Sequence, residues 1–265
     1  MKKLVDIAEA CLQQSDIAIK LNLTHTAWQL AETGQLSFSG TAAPQPIIAT
    51  VFPARPVLLA PKYMPKRQLS TPAGMAAFFH ALAHIEFIAI HLAWDILYRF
   101  RGLPEQFYVD WLKVADEEAQ HFELLNAYLG NFGLTYGDLP AHYGLWAHAE
   151  DTVEDVLARL ALVPLCMEAH GLDVTPNMIA KFEALNDTES VAILTRILTD
   201  EVGHVACGSK WFKHLCADLQ LEPTAHYQHL ITRYYKGGKP KGPFNRELRI
   251  MAGFSNADLD WLENA

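Results

Sequence analysis

Apolar residues recur along most of this chain at the three- and four-residue spacing of amphipathic helices, and the alternating pattern typical of strands is rare. The periodicity and its capping signals predict four long helices, over residues 70–102, 104–130, 151–171 and 188–218. Thr71 and Pro72 are typical of a helix start, because threonine caps the first turn and proline is tolerated in it. The pattern therefore predicts an all-α protein.

The segments outside the long helices have distinct compositions. Residues 3–32 have helical periodicity as far as Gly34. Residues 40–70 contain six prolines and are expected to lie extended over the rest of the protein. Residues 131–150, rich in glycine and aromatic residues, are predicted to form a long connection. The remaining predictions are a short helix at 177–185, a helix near 224–235 and a Lys/Gly/Pro loop at 236–243.

The order of these elements predicts a four-helix bundle in which two helical hairpins are joined by a long crossover. In this scheme the chain is one domain with three parts. Residues 1–70 form an N-terminal helix and the proline-rich wrapping segment, residues 71–219 form the bundle, and residues 220–265 form a C-terminal helical extension.

Composition narrows the class of protein. A chain of 265 residues, 51% of them hydrophobic, is long enough to bury a full core without disulfides. The net charge of −9 argues against non-specific nucleic-acid binding as the main task. Asp6 and Glu9 interrupt what would be the apolar part of an export signal, and the four cysteines form no CxxC pair. We therefore expect a cytoplasmic protein that is not embedded in a membrane.

Each long helix has one glutamate in the middle of its apolar stripe, and two of these glutamates are followed by a histidine three residues later. This set comprises Glu86, Glu118 with His121, Glu168, and Glu201 with His204. A glutamate and a histidine at this spacing share one helix face. An unpaired carboxylate in a core costs several kcal/mol, roughly, so these acids are expected to be protonated, paired or bound to metal.

The spacing of the four glutamates repeats in the two halves of the chain. Glu86 and Glu118 are 118 − 86 = 32 residues apart, and Glu168 and Glu201 are 201 − 168 = 33 residues apart. Two glutamates and two Glu-x-x-His pairs form the ligand set of dinuclear carboxylate sites in helical bundles. The alternative is a bundle whose buried acids are satisfied by water and histidine.

At these six residues the chain resembles the ferritin-like di-iron superfamily. More narrowly, it is similar to the bacterial ferritin-like family known as domain of unknown function 455, through segments such as residues 80–95 (HALAHIEFIAIHLAWD) and 199–212 (TDEVGHVACGSKWF). The resemblance implies the bundle fold and two metal ions, iron being expected and manganese or a mixed pair the alternatives. It also implies that Asp200 orients a ligand histidine. The equivalent position in the first half is Glu117, which departs from the aspartate of the pattern.

The function expected from this site is activation of O₂ or peroxide to oxidise or hydroxylate an unknown small substrate, with an electron-donor protein as a further partner. A monomer or dimer is expected. Residues 131–150 and 40–70 are candidate lids over the site. The alternatives are ferritin-like iron oxidation and storage, or a metal-containing protein that binds RNA or a phosphate-bearing partner. The third alternative draws on a basic C-terminal segment: Arg233, Lys236, Lys239, Lys241, Arg246 and Arg249.

Three other histidines lie on one face of the first long helix. His80, His84 and His91 are followed by Asp95, but this face is not that of Glu86, since two residues rotate a helix by about 200°. A second metal site is one interpretation, and a polar helix–helix contact or an exposed edge is the expected one.

Overall fold

Helices account for nearly all the regular structure in the described part of the chain. The computed structural model describes residues 1–39, 44, 51–64, 68–236 and 238–264. The α-helices are α1 (Leu4–Leu12), α2 (Ile17–Glu32), α3 (Pro72–Arg99), α4 (Glu105–Leu129), α5 (Gly144–Asp151), α6 (Val156–Leu162), α7 (Ala169–Ala184), α8 (Thr188–Asp218), α9 (Pro223–Tyr234), α10 (Arg246–Met251) and α11 (Asn256–Glu263). Two short strands, β1 (Lys2–Lys3) and β2 (Leu36–Ser37), pair in parallel. The all-α prediction is confirmed.

Three of the four predicted long helices begin at side-chain caps that satisfy their first backbone N–H groups, whereas α4 begins after Pro104 without one. The Thr71 hydroxyl accepts from the Gly74 amide at 3.1 Å, and the Asp187 carboxylate accepts from the Ser190 amide at 3.0 Å. Asp155 accepts from the amides of Leu157 and Ala158, so the third long helix begins at Val156 rather than at the predicted 151–152. Each cap supplies acceptors that the helix backbone cannot provide itself.

Three further parts of the predicted helix pattern differ from the structure. The periodic stretch at residues 3–32 forms two helices, because Asp16 caps α2 and separates it from α1. The predicted connection at 131–150 contains α5. The predicted end near Gly171 and the separate helix at 177–185 are wrong, since α7 runs through both and through Pro176. A glycine costs a helix only about 1 kcal/mol, which tertiary packing can outweigh.

Part of the proline-rich segment lies outside the described residues. Of its predicted extent, residues 40–43, 45–50 and 65–67 are not described. The described stretch 51–64 contributes an isolated parallel bridge between Leu58 and Ala141 and a short 3₁₀ turn, Pro61–Tyr63.

The chain divides into two compact units, Met1–Trp146 and Ala147–Ala265. In the first unit, α3 packs along α4, with α1 against α3 and α2 against α4. Helix α3 is long and apolar enough to span a membrane by length and composition, but 72% of its most apolar window is buried in the protein. Among the described residues it is the one helix that meets this criterion.

Two histidines on α3 form hydrogen bonds with the segment 131–150. His80 Nε2 accepts from the amides of Gly137 and Leu139 at 3.0 and 3.4 Å. The His84 Nδ1 atom lies 2.9 Å from the Tyr136 hydroxyl. The expected polar contacts are present, but His80 and His84 are buried and make these contacts with a loop rather than with another helix or at an exposed edge.

The second unit is built around α8. Helix α7 packs along α8, and a six-residue π-helical turn, Val163–Glu168, joins α6 to α7 and also packs against α8. A buried ion pair joins α7 to α10, where the Arg249 guanidinium donates to both carboxylate oxygens of Asp173 at 2.9 and 2.7 Å. The predicted C-terminal helices are present as α9, α10 and α11.

Candidate metal centre

In the first unit, the structure brings together three of the residues predicted to bind metal. Glu86 lies on α3, and Glu118 and His121 lie on α4; all three are buried. The His121 Nδ1 atom is 3.2 Å from a Glu86 oxygen and 3.7 Å from a Glu118 oxygen. One ligand atom from each residue lies within 4.8 Å of the others, so the three can hold one metal ion.

Helix geometry accounts for this convergence. Glu118 and His121 are three residues apart and therefore project from one face of α4, about one turn apart. Because α3 packs along α4, Glu86 reaches the same place from the opposite helix. The apolar stripes that predicted the core faces of α3 and α4 thus also predicted where these acids would lie.

The electrostatics of the cluster favour an added positive charge. Burial alone lowers the pKa of His121, but the carboxylates of Glu118 and Glu86 outweigh it and raise that pKa to about 11. A protonated His121 offsets one of the two negative charges. A divalent cation bound by a neutral imidazole would offset both, which reduces the cost of keeping two carboxylates away from water.

The second unit carries the other three predicted ligands. Glu201 and His204 lie three residues apart on α8, with His204 Nδ1 3.6 Å from a Glu201 oxygen. His204 is buried, whereas Glu201 and Glu168 are half-buried. Glu168 is the last residue of the π-helical turn.

Close packing against α8 holds the turn that carries Glu168. Pro164 cannot donate the backbone bond of a regular helix, and the wider π turn accommodates it. A Cβ atom placed on Gly208 would lie 2.5 Å from the Pro164 Cβ, so this contact requires glycine. The Tyr227 hydroxyl donates to the Leu165 carbonyl at 3.2 Å and supports the turn from α9. A proline inside a helical pattern signals such an irregular turn in the sequence, whereas the role of Gly208 has no sequence signal.

The two residues predicted to support the ligand histidines form ion pairs along their own helices. The Asp200 carboxylate accepts from Arg196 Nε at 2.5 Å on α8. Glu117 accepts from Lys113 Nζ at 2.8 Å on α4. Their action on ligand histidines stays a prediction.

The donor set fits a hard or borderline divalent metal. Carboxylate oxygens and imidazole nitrogens are the ligands that non-haem Fe(II) and Mn(II) take in proteins, and the first-unit cluster offers both types in a buried place. A thiolate-preferring metal would find no cysteine in this cluster of described residues. The residues therefore fit a metal of the predicted kind, although its identity and number are not fixed by them.

The predicted polyanion-binding residues divide into different groups. Arg249 is buried against Asp173, and Arg246 pairs with Asp260 and Glu263, so these two arginines serve the fold of the second unit. Arg233 stacks over the ring of Tyr234, 5.1 Å from its centroid. The lysines differ: Lys236, Lys239 and Lys241 line a pocket of about 330 Å³.

Comparison with known proteins identifies a family but no activity. Residues 13–260 match the family model described as "Protein of unknown function (DUF455)". A protein of Haemophilus influenzae described as "Uncharacterized protein" is 44% identical over 226 residues, covering 83% of this chain and 78% of that protein. No solved structure matches the chain. On the extent of the family match and the identity of this relative, the chain belongs to the DUF455 family.

Proposed function

We propose that the protein is a ferritin-like dinuclear non-haem metal oxidoreductase that uses O₂ or peroxide to oxidise or hydroxylate a small substrate in the cytoplasm. The observation that carries this proposal is the buried convergence of Glu86, Glu118 and His121 in the first unit. Glu201, His204 and Glu168 in the second unit repeat the same donor types at nearly the same sequence spacing.

In this proposal the four long helices form one ferritin-like bundle, and the ligands of a pair of ions are the six residues Glu86, Glu118, His121, Glu168, Glu201 and His204. Iron is the proposed metal, with manganese or a mixed pair as the alternative. Such ions, when bound, supply the redox chemistry needed to activate O₂ or peroxide.

The chain itself supplies ligand geometry and shelter from water. In the absence of metal, His121 Nδ1 holds a proton between two carboxylates, and that proton leaves when the nitrogen becomes a ligand. Phe87 and Phe122, which follow Glu86 and His121 in sequence, pack with ring centroids 5.6 Å apart and are both buried. With Tyr136 they form an aromatic wall that limits water entry on that side of α3 and α4.

The direct test measures metal content in the purified full-length protein and in isosteric variants. Two ions per chain are expected for the wild type after loading with Fe(II). Glu118→Gln is expected to lose metal because a ligand carboxylate is replaced by a weakly coordinating amide. Glu123→Gln is the matched control, since Glu123 is an exposed acid on the same helix. Full occupancy in Glu118→Gln would overturn the assignment.

A second variant tests whether Glu201 is a metal ligand. Glu201→Gln should lower metal content in the same way as Glu118→Gln. Retention of one ion by Glu201→Gln, together with complete loss in Glu118→Gln, would instead indicate a mononuclear site within the first unit.

Activity and assembly distinguish an enzyme from a storage protein. Oxygen consumption by the reduced, iron-loaded protein, with a monomer or dimer in size-exclusion chromatography, supports the oxidoreductase. A large closed shell that accumulates many iron ions per chain would favour storage and contradict the proposal.

A further inference from the structure

A basic pocket lies in the second unit, and its described lining contains none of the predicted metal ligands. It is lined on one side by residues of the π-helical turn and the start of α7, including Met167 and His170. The other side comes from the segment after α9, including Tyr235 and Phe244, and from Arg249 on α10. Its volume of about 330 Å³ lies within the range of small-molecule sites, which begins at roughly 300 Å³.

The pocket has an excess of positive charge. Its described lining includes Lys236, Lys239, Lys241 and Arg249 and contains no acidic residue. Acids outside the lining offset two of these charges, since Lys236 pairs with Asp151 at 2.6 Å and Arg249 is held by Asp173. Lys239 donates to the neutral backbone carbonyl of Trp261, which leaves its charge intact.

The cationic groups are held in place by rings as well as by bonds. The Lys239 ammonium lies 4.9 Å from the Trp261 ring centroid, and the Arg249 guanidinium lies 5.0 Å from the Phe244 centroid. Phe244 also lines the pocket, so an aromatic face and ammonium groups border the same space. This combination suits a molecule with an anionic group and a flat or apolar body.

We propose that this pocket binds a small organic anion through Lys239 and Lys241, with its apolar body against Phe244 and Met167. The anionic group is a phosphate or a carboxylate, since ammonium groups bind either. A nucleic acid is the less favoured occupant, because Arg246 and Arg249 are already paired with acids of the second unit. The proposal stands on residues of the second unit and does not depend on the metal centre.

Titration calorimetry on the full-length, chelator-treated protein tests this proposal with defined probes. Phenyl phosphate and benzoate each join one of the two anionic groups to a phenyl ring, and benzyl alcohol is the neutral counterpart. We expect saturable binding, near one molecule per chain, of at least one of the two anions. The affinity for benzyl alcohol should be lower by a factor of about ten or more, since a charge-assisted hydrogen bond commonly raises affinity by at least that factor.

Lysine variants locate the site. The double substitution Lys239→Gln with Lys241→Gln should weaken binding of the preferred anion by about tenfold or more. Lys181→Gln is the control, because Lys181 is an exposed lysine near the end of α7 and does not line the pocket. Its affinity should equal that of the wild type. Circular dichroism confirms that each variant is folded.

Three results would overturn the proposal. They are failure of both anions to bind the wild type, equal affinity of the wild type and the double variant, and binding only of a single-stranded RNA oligonucleotide with steep salt dependence. Full metal occupancy in Glu118→Gln would overturn the metal-centre proposal and leave this pocket supported if the anion still binds, so the two proposals can fail separately.

Discussion

Substitution of Gly208 by alanine tests whether the contact between α8 and the π-helical turn holds Glu168 in place. The added Cβ would lie 2.5 Å from Pro164 Cβ and 2.6 Å from Pro164 Cγ. Carbon atoms in contact prefer separations of about 3.5–4.0 Å, so the overlap is about 1 Å. The proline ring cannot rotate away, and relief therefore requires the turn itself to move away from α8.

The expected loss of stability is estimated by comparison with an alanine substitution at another glycine of α8. Gly203 also lies on α8, but a Cβ at that position meets no atom within 4 Å. Gly203→Ala should therefore stabilise the protein by about 1 kcal/mol through helix propensity alone. Gly208→Ala gains the same propensity but has an overpacking cost of about 1–3 kcal/mol, and should be less stable than Gly203→Ala by that amount.

The assay is urea unfolding of both variants, followed by circular dichroism, together with their iron content after loading. We expect Gly208→Ala to be the less stable variant and to bind less iron, because displacement of the turn moves Glu168. A Gly208→Ala protein as stable as Gly203→Ala would refute the packing argument. Lower stability with full iron content would refute the positioning of Glu168 by this contact.

Two further predictions concern buried charges. Arg249→Met should destabilise the protein by about 3–5 kcal/mol in urea unfolding, because Asp173 would be left buried without its cation. Arg246→Met, which removes an exposed pair, is the control and should change the free energy of unfolding little. Equal effects of the two substitutions would contradict this prediction. In metal-free protein, the raised pKa of His121 adds stability that is complete below its usual value of 6.5 and is lost as pH rises toward 11. His121→Gln should lose this dependence, and an unchanged pH profile would show that His121 is not its source.

The local part of the fold could be predicted from the sequence because its causes are local. Thr71 caps α3 three residues before the amide it binds, and the burial of Glu86 and Glu118 follows from their place in an apolar stripe. The buried cluster of Glu86, Glu118 and His121 could therefore be predicted from helical periodicity and the Glu-x-x-His spacing. The extension of α7 through Gly171 could not be predicted from the sequence, since helix-breaking residues are only weak signals when tertiary packing opposes them.

Features that depend on distant residues left no comparable sequence signal. The Asp173–Arg249 pair joins residues 76 positions apart, and neither residue stands out in the pattern of its own helix. The approach of Gly208 to Pro164 likewise depends on how the π turn packs on α8. Such contacts follow from the assembled helices, and a single sequence does not record them.

The basic C-terminal segment shows how the structure changes the meaning of a charge pattern. In the sequence, Arg246, Arg249 and the neighbouring lysines form one run of positive charge, which suggested one extended polyanion surface. In the structure, Arg249 pairs with a buried carboxylate and Arg246 joins α10 to α11, so the charges of both arginines are already offset by acids. The lysines border a concave space with aromatic walls. A charge run separated in this way favours recognition of one small anion over attachment to a polymer.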